Sequence, residues 1–230
     1  MVRFGAQEFG SDESLPFSKM RPPSDLHSIE VGFDMKDVPA FLPCAVYAAH
    51  VLRGLRFREY KVLEDLLFLN DVMMRVMRYA NAQGRLYGYR LHSGSTCHTR
   101  MTFDKARDRI YAWRDILQTC EAKKGRAGKS FVRHYCNQLT EFAVYGATLG
   151  KVSEYAPDRA GELWRIWREA LRDIVGLRVV SALQRWRIRI YLMCPHECWA
   201  KLLFAVPFRL KMLRNKARGW IKRSKNFEKN

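Results

Sequence analysis

Two adjacent carboxylates, Glu64 and Asp65, stand at the start of a run of residues with one apolar face. That face repeats every 3.6 residues, which predicts a helix over residues 63–79. A carboxylate held on a rigid helix can accept a proton as a general base. Acids in the first turn of a helix also complement its dipole, and on residue types alone this structural role is favoured.

A second group of polar residues follows a tyrosine-rich stretch that alternates like a strand over residues 85–91. Arg90 ends that stretch, and Ser93, Gly94 and Ser95 form the turn after it. An arginine can bind a phosphate in bidentate fashion, and a turn of this kind can offer backbone N–H groups to an anion. The alternative is an ordinary surface arginine followed by an ordinary turn.

Six cysteines are scattered through long apolar segments, and no signal peptide precedes them. This pattern predicts reduced thiols in a cytoplasmic protein. Cys194, His196 and Cys198 could be zinc ligands, but no second Cys/His pair lies at a suitable spacing. Buried thiols at the start of a helix are the favoured interpretation, and no metal site is predicted.

The chain carries a formal net charge of +18, which implies an anionic partner or surface. Basic residues are concentrated in 209–229, where Glu228 is the only acid. Residues 199–223 combine aromatic, aliphatic and basic side chains, as helices at the surface of anionic membranes do. The alternative is a solvated helix that packs its apolar stripe on the preceding helices. With the membrane interpretation, we expect a protein bound peripherally to the inner face of the membrane, with no helix spanning it.

Residue patterns divide the chain into an N-terminal part with strands and helices and a C-terminal part with helices. Short strands are predicted at 2–6, 28–33 and 41–47, with a short helix at 48–54. Further helices are predicted near 103–122, 129–150, 158–175, 178–191 and 196–218, separated by glycine- and proline-bearing breaks. The fold class expected is α/β at the N-terminal end, followed by an α-helical C-terminal extension.

Four elements in this order resemble the acceptor-side half of family-2 glycosyltransferases. Val2–Gly5 is similar to the strand after that family's Asp-x-Asp region, and Pro43–Tyr47 to a short strand ending in an aromatic residue. Next come an aromatic, a loop and a Glu-Asp pair that opens a helix, with a further aromatic at Phe68. The fourth element is the strand Leu86–Arg90 with its Gly-Ser turn. The resemblance covers roughly residues 2–100.

The resemblance implies a partial GT-A-like fold and inverting transfer of a sugar from a nucleotide-sugar to a glycan or lipid-linked acceptor. Asp65 would be the base that takes the acceptor proton from within a cleft, and Glu64 would orient the acceptor or the surroundings of Asp65. The substrate contacts implied are Tyr89, Arg90, Ser93 and Ser95. The base role requires Asp65 to face a pocket that the tyrosine-rich strand also borders.

The family holds a divalent metal, Mg²⁺ or Mn²⁺, through Asp-x-Asp in its nucleotide-sugar half. No Asp-x-Asp occurs in these 230 residues. We therefore expect this chain to be a piece of a longer enzyme, or a remnant of one that is inactive alone.

The expected organisation is a GT-A-like acceptor-side domain at 1–100, a helical extension at 101–192 and a basic amphipathic tail at 193–230. A rival interpretation is a basic helical protein that is not an enzyme and binds nucleic acid or an anionic membrane. Trp164, Trp167 and Trp186 lie among basic residues, but their spacing is typical of a helix core. No nucleic-acid-binding motif is present, so a nucleic-acid partner is not expected.

Overall fold

The computed structural model describes residues 1–9, 26–29, 32–39, 42–90, 101–142 and 157–194. It is a mixed α/β structure with a small mixed sheet, as the sequence predicts. The strands are β1 (Val2–Phe9), β2 (Leu26–Ser28), β3 (Ala45–Val46) and β4 (Arg78–Arg90). The helices are α1 (Ala49–Leu52), α2 (Glu64–Met73), α3 (Phe103–Ala122), α4 (Lys129–Phe142), α5 (Ala160–Val175) and α6 (Ala182–Met193).

The four strands form one sheet in the order β2-β4-β1-β3. The two long strands, β1 and β4, are parallel neighbours, with Val2 opposite Ala80 and Phe9 opposite Arg90. The short strands β2 and β3 pair antiparallel at the two edges. Register shifts on both sides of Gly5 break the ladder between β1 and β4, as β-bulges do.

Two of the predicted strands are shorter than their sequence patterns. The strand predicted at 28–33 overlaps β2 (Leu26–Ser28) only at Ser28, and Phe33 makes an isolated bridge to Ala127. The buried strand expected at 41–47 is a 3-10 turn over Leu42–Cys44, followed by two paired residues. Pro43 explains part of this difference, because proline cannot donate a hydrogen bond to a sheet ladder.

The helix predicted at 63–79 ends at Met73, because its last residues enter the sheet as β4. Arg126 lies in the turn after α3, and its guanidinium binds the backbone where the chain changes direction. Its Nε donates to the Met74 carbonyl at 3.2 Å, and its Nη2 donates to that of Val76 at 2.5 Å. Carbonyls that would otherwise lack a partner at the end of α2 are thereby satisfied.

The helices of the C-terminal half start close to where the sequence places them. Helix α3 has its predicted bounds and is capped by Thr102, whose hydroxyl accepts from the backbone N–H of Lys105. Helix α6 begins at Ala182 rather than 178, because Ser181 and Gln184 form a capping box. The tail at 193–230 and the helix predicted at 196–218 lie outside the described residues, apart from the end of α6 and Cys194.

Two of the three tryptophans predicted to lie in the core do so. Trp164 and Trp167 are buried in α5, and the Trp167 Nε1–H donates to the Leu139 carbonyl at 2.8 Å. Trp186 is exposed on α6, so its predicted core position is wrong. Helical spacing alone misplaced it, because α6 carries apolar residues on more than one side.

One cluster of buried side chains runs through the described part of the chain, from Ile29 to Cys194. Residues of α2 and residues of α3–α6 contribute to this same core. The predicted boundary near residue 100 therefore does not separate two independent cores. Among the described residues, no helix is both long and apolar enough to cross a bilayer.

The turn between α3 and α4 is held against the segment 32–37 by backbone and side-chain bonds. Phe33 exchanges backbone hydrogen bonds with Arg126 and Gly128, at 2.8 and 2.7 Å. Asp34 Oδ1 accepts the Phe131 backbone N–H at 2.8 Å and the Ser130 hydroxyl, which caps the first turn of α4. A Cβ at Gly32 would lie 2.5 Å from the Gly125 carbonyl oxygen, so only glycine permits this approach.

Replacing Arg126 with methionine should destabilise the protein strongly. The variant loses hydrogen bonds to the carbonyls of Met74, Val76 and Ile29 but keeps most of the aliphatic stem. Hydrogen bonds from a charged group are worth about 1.5–3 kcal/mol each, so we expect a loss of about 3 kcal/mol or more in the free energy of unfolding. Urea denaturation followed by circular dichroism measures it.

The control for that experiment is Arg53→Met, which removes an exposed arginine side chain. It should change the free energy of unfolding by less than about 0.5 kcal/mol. An Arg126→Met midpoint equal to that of Arg53→Met would contradict the structural role of Arg126.

The Asp34 carboxylate should make stability depend on pH in the acid range. Partial burial opposes its charge, but hydrogen bonds from Ser130, Met35 and Phe131 outweigh this and hold the pKa of Asp34 below its ordinary value of 3.8. A lowered folded-state pKa stabilises the fold above the unfolded-state pKa, and this contribution is lost as the pH falls through the folded-state value.

The comparison that isolates this effect is wild type against Asp34→Asn, by urea denaturation at several pH values. The difference in free energy of unfolding should be largest above about pH 5 and should shrink steadily towards about pH 2. A difference that stays constant across that range would show that the charge of Asp34 is not what stabilises the turn.

Candidate functional site

The Glu64-Asp65 pair lies in the first turn of α2, as the sequence predicts. Leu63, immediately before it, has a φ of 64° and is the one described residue other than glycine in the left-handed region. A leucine rarely adopts this conformation, and backbone strain of this kind often accompanies functional sites. The Leu67 backbone N–H donates to the Leu63 carbonyl at 3.0 Å, which fixes the start of the helix.

The Asp65 side chain is exposed, and Glu64 is half-buried. Asp65 Oδ1 accepts the backbone N–H of Leu66 at 2.7 Å, so the carboxylate contacts the start of its own helix. This contact fits the alternative role of Asp65, in which an acid in the first turn of a helix complements the helix dipole. The carboxylate also remains accessible to a solute, as a general base must be.

The charge of Asp65 acts on Tyr135 of α4. Burial raises the pKa of Tyr135, and the charges of Cys120 and Asp65 raise it further. Tyr135 is buried and packs beside Phe131, with the ring centroids 4.8 Å apart. The start of α2 therefore faces the α3–α4 region as well as solvent.

The tyrosine-rich strand is longer than predicted and contains both of its described candidate residues. Tyr89 is half-buried near the end of β4, and its backbone is opposite Glu8 of β1. Arg90 is exposed at the last position of β4. Ser93 and Ser95 lie outside the described residues.

Among the described residues, two cavities border the sheet. The larger, of about 480 Å³, is lined by Met1, Val2, His50, Arg75 and Arg78 together with apolar side chains of 26–80. The smaller, of about 270 Å³, is lined by residues 3–5 and by Val38, Pro39, Asn81 and Ala82. Neither cavity is lined by Asp65 or Tyr89, so neither is the shared pocket that the sequence analysis expected.

The loop before the Glu-Asp pair is attached to one side of α3 by acidic residues. The Lys61 backbone N–H donates to Asp108 Oδ2 at 2.8 Å, and the Lys61 ammonium pairs with Asp104. Asp108 is buried, and its other oxygen accepts from the Arg107 guanidinium at 3.0 Å. These contacts hold the loop two residues before the strained Leu63.

Asp115, further along the same helix, holds the middle of the loop. Its Oδ2 accepts from Arg58 Nη1 at 2.8 Å and from the Tyr60 hydroxyl at 2.9 Å. Its Oδ1 accepts from Arg114 at 2.9 Å. Burial and the bond to Asp115 raise the pKa of Tyr60 to about 12, so its hydroxyl stays protonated and remains a donor.

The two aromatic residues that flank the loop are in direct contact. The rings of Phe57 and Phe68 stack with their centroids 4.2 Å apart and an angle of 9° between their planes. The start of the loop therefore packs against the second turn of α2. This contact joins the aromatic before the loop to the aromatic after the Glu-Asp pair.

Sequence reasoning missed the acids of α3 that position this loop. Asp104, Asp108 and Asp115 are spaced by four and seven residues, which places them on one side of a helix. An acidic stripe in an otherwise basic chain was the signal available in the sequence. The partners could not be read from it, because Arg58 and Asp115 are 57 positions apart.

No metal site is formed by the residues that the structure describes, since no group of three or more His, Cys, Asp or Glu side chains could hold an ion there. They therefore do not fit the divalent metal that the family resemblance implies, and no chemical step is assigned to it. The four described cysteines, Cys44, Cys120, Cys136 and Cys194, are buried. Cys194 is among them, while the other zinc candidates lie outside the described residues.

Comparison with known proteins adds no relative: no family model, no curated protein and no solved structure matches this chain.

Removing the Asp108 carboxylate should loosen the loop and lower stability. Asp108→Ala leaves the Lys61 backbone N–H and the Arg107 guanidinium without this acceptor. We expect the free energy of unfolding to fall by about 2 kcal/mol or more, because these bonds are charge-assisted and Asp108 is buried. Urea denaturation provides the measurement.

Asp108→Asn keeps an oxygen that can accept from Lys61 and should lose less stability than the alanine variant. Asp158→Ala, at an exposed position before α5, is the matched control and should change stability by less than about 0.5 kcal/mol. If Asp108→Ala unfolds at the same urea concentration as the control, Asp108 does not hold the loop.

Proposed function

We propose that this chain is the acceptor-side part of a family-2-like inverting glycosyltransferase, with a partial GT-A-like N-terminal region. The observation that carries the proposal is the arrangement of the loop and the Glu-Asp pair at the start of α2. The stacked rings of Phe57 and Phe68 hold the start of the loop against α2. The Glu-Asp pair follows the strained Leu63, and Asp65 is accessible. A loop held this tightly beside an accessible carboxylate suits a group that must be rigidly positioned.

In the proposed reaction, Asp65 is the general base. Neither cavity at the sheet contains Asp65, so the proposal requires the donor-binding half of the enzyme to complete the pocket in which this carboxylate acts. Its carboxylate takes the proton from an acceptor hydroxyl while that oxygen attacks the anomeric carbon of the donor sugar. The bond from the anomeric carbon to the nucleotide diphosphate breaks, and the diphosphate leaves with the electron pair. Glu64, half-buried beside Asp65, would orient the acceptor.

Tyr89 and Arg90 are the proposed substrate contacts on β4, together with Ser93 and Ser95 from the turn that follows. Arg90 is exposed at the end of a long strand, where its guanidinium can reach a phosphate or a sugar hydroxyl. We do not assign the nucleotide-sugar donor site to these residues, because the Asp-x-Asp that would hold its metal is absent from the sequence. The proposed partners are a nucleotide-sugar held elsewhere and a glycan or lipid-linked acceptor.

A second candidate function is that of a basic helical protein that binds an anionic membrane without catalysis. The observation in its favour is α6, on which Leu183, Trp186 and Met193 are exposed and which carries three arginines and no acid. The two candidates are compatible, because an enzyme acting on a lipid-linked acceptor needs to lie at the membrane surface.

Asp65→Asn should abolish sugar transfer while leaving the fold intact. The assay supplies a donor-binding half that carries Asp-x-Asp, joined in frame ahead of Val2, and follows labelled sugar from a nucleotide-sugar to a lipid extract. Loss of a general base lowers the rate by about 10²–10⁴-fold, so turnover should fall by at least about 100-fold. Glu64→Gln should have a smaller effect.

The structural role of Asp65 predicts a different outcome for the same variant. Losing an acid at the start of a helix costs about 0.3–1 kcal/mol of stability and leaves turnover intact. Asp158→Asn, an exposed carboxylate outside the motif, is the matched control and should transfer sugar like wild type. Turnover by Asp65→Asn within about twofold of that control would refute the base.

A further inference from the structure

Helix α6 leaves a row of large apolar side chains uncovered within the described residues. Leu183, Trp186 and Met193 are 68%, 61% and 80% exposed, and half-exposed Ile190 lies between the last two. Their spacing of three, four and three residues places all four on one side of the helix. The opposite side, with Gln184, Ile188 and Tyr191, is buried in the core.

The charged residues that lie within and just before this apolar row in the sequence are all basic. Between Asp173 and Glu197 the sequence contains four arginines and no acid. Arg187 and Arg189 flank the row on its two sides, and Arg189 is exposed. Arg187 Nη1 reaches Asn137 Oδ1 of α4 at 3.4 Å, so the row lies beside α4.

Such a helix has the chemistry of one lying in a membrane interface. Tryptophan and aliphatic side chains enter the boundary between headgroups and acyl chains, while arginines beside them reach the headgroup phosphates. Anionic lipid strengthens the attraction by about 1 kcal/mol for each basic residue near the surface. The row of Leu183, Trp186, Ile190 and Met193 with its flanking arginines is called the α6 surface below.

We propose that the α6 surface binds anionic membranes directly, inserting Leu183 and Trp186 below the headgroups. The docking surface consists of residues of α6, and the proposal does not use the basic segment 199–223. It does not depend on the sugar-transfer proposal, and its test does not involve sugar transfer.

Charge favours a lipid surface over the other occupants that could cover these side chains. Residues 199–223 are basic, so packing them on α6 would place like charges together. A second copy of α6 would do the same. A nucleic acid would satisfy the arginines and stack on Trp186, but it would leave Leu183, Ile190 and Met193 without an apolar partner.

The test measures binding of the full 230-residue chain to lipid vesicles by co-sedimentation. The vesicles contain phosphatidylcholine with about 30% phosphatidylglycerol, in about 0.15 M NaCl. We expect binding to these vesicles to be roughly tenfold or more tighter than to pure phosphatidylcholine. The double variant Leu183→Gln/Trp186→Gln should lose a further tenfold or so, because both apolar contacts are removed.

The matched control is Leu26→Gln/Val46→Gln, which changes two apolar residues of equal exposure, 68% and 65%, on the edge strands of the sheet. It should bind vesicles like wild type. Circular dichroism and urea denaturation of both double variants verify that each is folded, as expected for substitutions at exposed positions.

Three outcomes would overturn the proposal. In the first, the Leu183→Gln/Trp186→Gln variant binds vesicles like wild type, which assigns the membrane contact to another part of the chain. In the second, both double variants lose binding equally, which shows that α6 has no special role. In the third, duplex or single-stranded DNA binds tightly in the same salt while the vesicles do not, which identifies a nucleic acid as the partner.

Discussion

The described fold depends on the Arg126 guanidinium and the carbonyl oxygens that it binds. Arg126 reaches Met74 and Val76 where α2 gives way to β4, and Ile29 where β2 ends. The Ile29 carbonyl also accepts the Gly32 backbone N–H at 3.3 Å, whereas Arg126 satisfies the carbonyls of the buried residues Met74 and Val76 where helix, sheet and the α3–α4 turn meet. Hydrogen bonds between Phe33 and the same turn reinforce the junction. The junction therefore fixes the end of α2, the helix that begins with the Glu-Asp pair.

The start of α2 is controlled in a comparable way from α3. Asp108 and Asp115 bind the loop that precedes the helix, and that loop leads into Leu63 with its left-handed backbone. A strained residue persists only where its surroundings determine it, and buried charged hydrogen bonds supply that restraint here. The same core includes α2 and the helices after residue 100. The helical part therefore helps to build the candidate site, rather than being an appendage to it.

Local patterns in the sequence predict most of the helices, because capping residues and apolar spacing act over a few positions. Helix α3 shows this, with Thr102 at its start and the predicted end at Ala122. The end of α2 could not be predicted, because Val76 continues the helical pattern while its carbonyl is bound by Arg126, 50 positions away. The prediction for Trp186 was wrong for a related reason. Its spacing on α6 fits a core position, but no neighbours among the described residues bury it. For the site, residue types identified Glu64 and Asp65, whereas their supports on α3 required long-range contacts.

Helix α4 lies between the candidate site and the α6 surface. A base that takes a proton from an acceptor must be reached by that acceptor, and Asp65 is exposed at the start of α2, where its charge acts on Tyr135 of α4. Helix α6 contacts α4 through Arg187 and Asn137. Asn137 follows Tyr135 by two residues, so the two side chains leave α4 on nearly opposite sides. A lipid-linked acceptor held at a membrane on α6 would therefore have to extend past α4 for its hydroxyl to reach Asp65.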